Sequence, residues 1–100
     1  DKFYKLKVYK KGNQFLLIKN TKFNFLKNFK IFPMYEVSKK DNLEKNLSFK
    51  ISNMNMNITI QFNKIKGSIP NSSWIDSSKL DSYTLPTFTK KIFSYLEKNT

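Results

Sequence analysis

The sequence predicts a small α+β domain in which an antiparallel sheet of four or five strands packs against one C-terminal amphipathic helix. Three observations predict it: an alternating segment near the N-terminus, a longer one over residues 54–62, and a helical repeat of apolar residues near the C-terminus. One hundred residues are enough for a single domain, residues 1–100, with a modest core. Its predicted parts are a basic β-hairpin region (1–32), a long strand region (47–66), an irregular docking segment (67–86) and a helix (87–98).

The first predicted element is a β-hairpin. Residues 3–9 alternate between apolar residues and lysines, which is the period of a half-buried strand. Gly12-Asn13 predicts a tight turn at positive φ, and residues 14–19 are the returning strand. Such a turn projects the ammonium groups of Lys10 and Lys11 away from the core.

Residues 22–32 fit two structures. The four phenylalanines and two aliphatic residues of this segment match either the period of a strand or one face of a helix. The strand interpretation is favoured, because Phe is enriched in strands and Asn is a weak helix former. Pro33 ends either element.

The later segments differ in their periodicity. After a polar segment at 38–46, which predicts a loop or a short helical turn, an alternating run begins at Leu47. Residues 54–62 alternate without interruption, so their even-numbered positions are predicted to face the core. The two runs are out of phase across Ser52-Asn53, which predicts a bulge or a turn there. Residues 67–86 show no period, and a loop of this length in a compact domain is usually functional or docked on another molecule.

The helix prediction depends on four apolar residues spaced i, i+4, i+7 and i+8, which are Phe88, Ile92, Tyr95 and Leu96. Pro86 and a neighbouring threonine provide a start signal.

All the basic residues of the chain are lysines. The chain has nineteen Lys, no Arg, no His, no Cys and no Ala, and its formal net charge is +12. Nine of the lysines lie in residues 1–30, where only Asp1 opposes them. A positive field of this size favours a polyanionic partner, and Lys meets phosphate as a point charge rather than as a bidentate fork. The alternative is a solvated surface that keeps the protein soluble.

Catalysis is poorly supported by the composition. Without His or Cys there is no ordinary general base near neutral pH, no thiol nucleophile and no imidazole ligand. The acidic residues, including Glu36, Asp41 and Glu44, show no metal-binding spacing, and two glycines cannot form a phosphate-binding loop. We therefore expect no enzyme activity, no metal, no cofactor and no small-molecule substrate. The longest apolar run is residues 15–18, far shorter than a membrane span, so no span is expected.

Lysines interleaved with aromatic residues predict a surface that tracks a nucleic-acid backbone and stacks on bases. An ordinary amphipathic strand in a Lys- and Phe-rich chain has the same pattern. The candidate nucleic-acid-binding residues are Lys5, Lys7, Lys10, Lys11, Lys22, Lys27, Lys30, Lys64 and Lys66. The single tryptophan, Trp74, and Tyr83 lie in the irregular segment and are candidates for docking a partner. The other interpretation of Trp74, which is favoured, is that it covers one end of the core.

In overall character the chain resembles ribosomal proteins of AT-rich mitochondrial genomes, such as those of ciliates, because Lys, Asn, Phe and Ile are abundant and Gly is scarce. The stretch Asn71-Ser72-Ser73-Trp74, with Tyr83 and the helix around residues 90–96, loosely resembles the opening of the third small-subunit ribosomal protein. The Gly- and Arg-rich signature of that family is absent upstream, so none of its functional residues is carried over.

The resemblance implies a structural rRNA-binding subunit of a mitochondrial ribosome, located in the matrix, with rRNA and neighbouring ribosomal proteins as partners. Two alternatives remain open: an accessory subunit of a protein assembly without nucleic-acid contact, or a surface or phage domain.

Overall fold

The computed structural model describes residues 2–38, 47–51 and 53–98. Within these ranges the chain forms eight strands, a 3₁₀ segment (Ser77–Ser82) and one helix, α1 (Thr87–Lys98). The strands are β1 (Lys2–Val8), β2 (Lys10–Lys11), β3 (Gln14–Lys19), β4 (Lys30–Ile31), β5 (Met34–Val37), β6 (Leu47–Ile51), β7 (Met54–Phe62) and β8 (Ser72–Asp76). The predicted α+β class is confirmed, and α1 has the predicted bounds.

The strands form two sheets. Sheet A has the order β5-β1-β7-β6. In sheet B, β2 and β4 pair with opposite ends of one side of β3, and β8 pairs with the other side of β3. β1 and β7 are parallel, with Leu6 opposite Ile60, whereas all other described pairs are antiparallel. The sequence predicted a single antiparallel sheet, because alternation identifies strands but not their partners. The chain passes from sheet A to sheet B at Tyr9, whose carbonyl accepts from the Leu16 N–H at 3.1 Å.

Helix α1 closes a core that both sheets share. The Phe88 ring packs edge-on against Phe49 of sheet A, with 5.1 Å between ring centroids, and Phe93 packs against Phe15 of sheet B at 5.3 Å. The Thr89 hydroxyl donates to the Lys30 carbonyl at 2.8 Å, which fixes the helix to β4. The apolar stripe that predicted the helix is thus the face that the core buries.

The alternation in β7 is confirmed at its centre and fails at two positions. Met56 and Ile58 are fully buried, as predicted for even-numbered residues. Thr59, predicted to be solvent-exposed, is only 1 % exposed, although it lies on the predicted outer face opposite Lys5. Phe62 is 58 % exposed, since it ends β7 opposite Val8, the last residue of β1. The Asn53 backbone has φ +66° between β6 and β7, consistent with the predicted turn.

The strand predicted over residues 22–32 was wrong except at Lys30–Ile31. The buried side chain of Asn20 organises this segment as a loop. Its Nδ2 donates to the carbonyls of Phe25 (2.5 Å) and Leu26 (3.1 Å), while its Oδ1 accepts from the Lys22 N–H (3.3 Å) and the Phe23 N–H (2.9 Å). These bonds replace a sheet ladder. Leu26 and Asn28 also have positive φ, which excludes both a strand and a helix there.

The irregular segment predicted over residues 67–86 also needs correction. Residues 72–76 form β8, which pairs with β3 from Gln14 opposite Asp76 to Ile18 opposite Ser72. This strand carries little periodicity because it is an edge strand whose main buried residue is Ile75. The Asp76 carboxylate then accepts from the Ser78 N–H at 2.9 Å and starts the 3₁₀ segment. The loop or turn predicted at 38–46 lies outside the described residues, apart from Ser38.

The pH dependence of the free energy of unfolding tests whether the Tyr4 phenol is buried in the core. Burial raises the pKa of its phenol above the usual 10.0, and the Glu36 carboxylate raises this pKa further. The folded state therefore favours the neutral phenol, and this contribution to stability is present below pH 10 and lost as the pH rises through the raised pKa. We expect the free energy of unfolding to fall more steeply above about pH 10 in the wild type than in Tyr4→Phe, measured by urea denaturation. Parallel pH curves for the two proteins would contradict the burial of the phenol.

Candidate nucleic-acid interface

Sheet A has one face on the core and a second face, which we call the open face. The strand register assigns its residues: Phe3, Lys5, Lys7, Tyr35, Val37, Ser48, Lys50, Asn55, Asn57, Thr59 and Gln61. The buried residues of sheet B and α1 pack with the opposite face of the sheet. Most open-face side chains are partly or fully exposed, with Thr59 as the buried exception.

The open face is electropositive. Lys5, Lys7 and Lys50 project from three positions on two of its strands, and none of the four acidic residues that the structure describes lies on it. The nearest along the sheet, Glu36, is opposite Tyr4 on the other face, where its carboxylate pairs with the Lys2 ammonium at 3.4 Å. A phosphate approaching the open face therefore meets ammonium groups without a competing carboxylate.

Aromatic and amide groups lie between these lysines. The Lys7 ammonium lies 5.3 Å from the Tyr35 ring centroid, which presents a cation on an aromatic face. Phe3 lies opposite Asn57, and Asn57 lies opposite Ser48, so one row crosses three strands. This row combines a ring, an amide and a hydroxyl.

A shallow depression of about 380 Å³ opens on the β6 and β7 part of the open face. Its polar lining is Ser48, Lys50, Asn55 and Asn57. The Asn57 Nδ2 donates to the Lys2 carbonyl at 3.3 Å, and the Ser48 hydroxyl donates to the Asn57 Oδ1 at 3.5 Å, which orients the amide. Amide, hydroxyl and ammonium groups together can bind phosphate oxygens or the edge of a base.

Lys64 and Lys66 extend the positive surface beyond the end of β7. The Asn63 N–H donates to the Val8 carbonyl at 2.9 Å, so the chain leaves β7 beside the end of β1. Because β1 and β7 are parallel, the exposed Lys64 and Lys66 follow at the end of the sheet nearest Lys7. Two exposed apolar side chains, Phe62 and Ile65, accompany them.

The hairpin tip has the predicted turn, with Gly12 at φ +62° and both lysines exposed, but the predicted pairing of residues 3–9 with residues 14–19 was wrong. Lys10–Lys11 pair with β3, whereas β1 pairs with β5 and β7 in sheet A. The two lysines of the tip have different surroundings. The Lys10 ammonium lies 5.6 Å from the Phe15 ring centroid, on the side of sheet B, and lines a cleft described below. The strand register places Lys11 opposite Gln14 at the tip itself.

The remaining predicted lysines are not brought to the open face. Lys22 and Lys27 lie in the loop after β3, whose rings of Phe23 and Phe25 pack against Tyr4 on the core side of sheet A. Lys30 is opposite Lys19 between β3 and β4.

The two candidate docking residues lie in sheet B and after the 3₁₀ segment. Trp74 is half-buried in β8, opposite the buried Leu16. Tyr83 is also half-buried, and its ring centroid lies 6.0 Å from the Lys30 ammonium. Both retain partly exposed rings.

Sequence reasoning missed Lys50 and the amides that surround it. The alternation of β6 contains the signal, because Ser48 and Lys50 are its exposed positions. Their position beside Asn55 and Asn57 follows only from the β6–β7 register. The parallel pairing of β1 with β7, which brings Lys5 and Lys7 to the same face, has no local signal in the sequence.

No group of three acidic residues in the described part of the chain could hold a metal ion. No helix among residues 2–38, 47–51 and 53–98 is long and apolar enough to cross a membrane.

Comparison with known proteins gives the fold. No protein-family model and no curated protein sequence matches the chain. The chain is similar in structure to a solved structure described as the crystal structure of the complex between the C-terminal domain of mouse MUTYH and human PCNA. The TM-score is 0.72 at 11 % sequence identity, and the match covers 99 % of this chain and 89 % of the other. At this identity the similarity concerns the fold alone.

Proposed function

We propose that this domain is a non-catalytic binding module that holds a nucleic-acid backbone on the open face. The arrangement of that face supports the proposal: Lys5, Lys7 and Lys50 surround amide side chains and two aromatic rings, with no described carboxylate among them. Ammonium groups neutralise phosphates, amides donate to phosphate oxygens and rings stack on unpaired bases. Lys64 and Lys66 extend the positive surface of the open face beyond the end of β7.

The composition favours ribosomal RNA as that nucleic acid, in a mitochondrial ribosome. A chain with nineteen lysines and no arginine contacts phosphates as point charges and reads shape rather than guanine edges. Structural ribosomal subunits need this kind of binding. In this proposal neighbouring ribosomal proteins contact the exposed parts of Trp74 and Tyr83.

The salt dependence of binding tests the proposal. For fluorescence anisotropy with a labelled RNA stem-loop, we expect log K to fall linearly with log salt, with a slope of about −3.5 to −4.5 for five phosphate contacts. Binding should differ little between unrelated stem-loops of the same structure, because no Arg reads guanine. A flat salt response would contradict nucleic-acid binding. A clear preference for DNA of the same sequence would contradict only the ribosomal form of the proposal.

A second candidate is a protein-interaction domain of a larger protein. The observation that favours it is the similarity in fold to the C-terminal domain of mouse MUTYH, whose structure was solved in complex with human PCNA. Co-purification separates the candidates: nucleic acid that RNase or high salt removes favours the first, whereas a protein partner that survives both treatments favours the second.

A further inference from the structure

A second concave site lies away from the open face, which we call the hairpin cleft. It is bounded by the hairpin tip, the 3₁₀ segment and the C-terminal half of α1, and its volume is about 350 Å³. Its lining combines apolar residues, among them Phe15, Leu80 and Phe93, with the polar residues Asn13, Ser77, Ser78 and Ser94. The rings of Phe15 and Phe93 meet edge-on with centroids 5.3 Å apart. A volume near the lower limit of ligand pockets, roughly 300 Å³, suits one or two side chains rather than a cofactor.

The rim of the hairpin cleft carries two opposite charges. Lys10 comes from the hairpin and Glu97 from α1, and both side chains are exposed. The ion pair found among the described residues joins Lys2 to Glu36, so Lys10 and Glu97 are not paired with each other there. A polyanion is disfavoured at this site, because the Glu97 carboxylate repels phosphate and opposes the attraction of Lys10.

The walls of the hairpin cleft are held together before anything binds. The Ser77 N–H donates to the Asn13 carbonyl at 2.9 Å, which ties the 3₁₀ segment to the hairpin tip. The Asp76 carboxylate accepts from both the N–H and the hydroxyl of Ser78, at 2.9 and 2.7 Å. A preformed cleft loses less entropy on binding.

We propose that the hairpin cleft binds a short extended segment of a partner protein. One large apolar side chain of the partner packs on Phe15 and Phe93, while an acidic residue on one side of it faces Lys10 and a basic residue on the other side faces Glu97. Charge complementarity selects this occupant. A segment with two flanking charges of the same sign would place one of them next to a rim residue of like charge. The inference goes beyond nucleic-acid binding and does not depend on it.

Four synthetic peptides and three proteins, the wild type, Lys10→Glu and Glu97→Lys, test this inference by NMR titration of the ¹⁵N-labelled chain; three of the peptides differ in their flanking charges. These three carry a central Phe flanked by one Asp and one Lys, by two Lys, or by two Asp. The wild type should prefer the mixed peptide, with shifts at Ser77 and Phe93, and replacing the peptide's Phe by Ala should weaken binding about tenfold. Lys10→Glu should prefer the two-Lys peptide and Glu97→Lys the two-Asp peptide, each by about threefold to tenfold.

The changed preferences are gains of binding, so a variant that fails to fold cannot imitate them, and amide dispersion reports folding in the same spectra. The proposal is overturned if the mixed peptide causes no shifts at the cleft, or if all three proteins share one preference. It is also overturned if an RNA stem-loop, rather than a peptide, shifts Ser77 and Phe93.

Discussion

Replacement of Ile58 by Asp should leave little folded protein at 25 °C. Ile58 is fully buried in the centre of β7, between β1 and β6, and no described residue around it offers a counter-charge. Burying an unpaired carboxylate is among the changes that cost more than about 4–5 kcal/mol, while small domains have about 5–15 kcal/mol in total. Circular dichroism and urea denaturation would measure the loss.

The neighbouring Asn57→Asp change is the matched control. Asn57 lies on the open face, where its amide donates to the Lys2 carbonyl. The variant loses that hydrogen bond, worth about 1 kcal/mol, but places a carboxylate among lysines, which offsets part of the loss. Similar destabilisation by the two changes would show that both faces of β7 are buried.

Replacement of Asn20 by Leu should destabilise the fold by about 3 kcal/mol. Asn20 is 2 % exposed, and its side chain makes four hydrogen bonds to the backbone of residues 22–26. The apolar substitute fills similar space but leaves two N–H groups and two carbonyls without these partners. The loop should then lose its hold on Phe23 and Phe25, which cover Tyr4.

Asn24→Leu is the control for this loop, since Asn24 is exposed in the same segment. It should change the free energy of unfolding by no more than about 0.5 kcal/mol. Limited proteolysis adds a second measurement, because the Asn20 variant should be cut within residues 21–29 much faster than the control. Equal stability and equal cleavage of the two variants would mean that the Asn20 bonds do not hold the loop.

The sequence predicted those elements in which the apolar residues recur with the period of a helix or strand and are also the residues that the core buries. The apolar stripe of α1, the alternation of β1 and the Gly12 turn all depend on residues close in sequence, and the structure has each of them. The loop at 20–29 was not predictable in the same way, because a single buried amide overrides the strand preference of its three phenylalanines. β8 was missed because an edge strand with one buried residue shows little alternation.

The candidate site was predictable in part for a similar reason. The alternation of β1 identifies Lys5 and Lys7 as outward-facing, but their neighbours depend on a parallel pairing with β7 across some fifty residues of chain. That pairing is decided by the shared core. It also separates Lys22, Lys27 and Lys30 from the open face, although the sequence placed all of them in one basic region.

The most direct test of the open face is the salt slope of RNA binding in two double variants with equal charge loss. Lys5→Gln with Lys7→Gln removes two ammonium groups from the open face, whereas Lys90→Gln with Lys91→Gln removes two exposed ones from α1. The first variant should bind more weakly and have a slope smaller by about one to two, while the second should keep the wild-type slope, since distant charges are screened beyond about 10 Å at 0.1 M salt. Equal slopes in both variants would contradict binding at the open face.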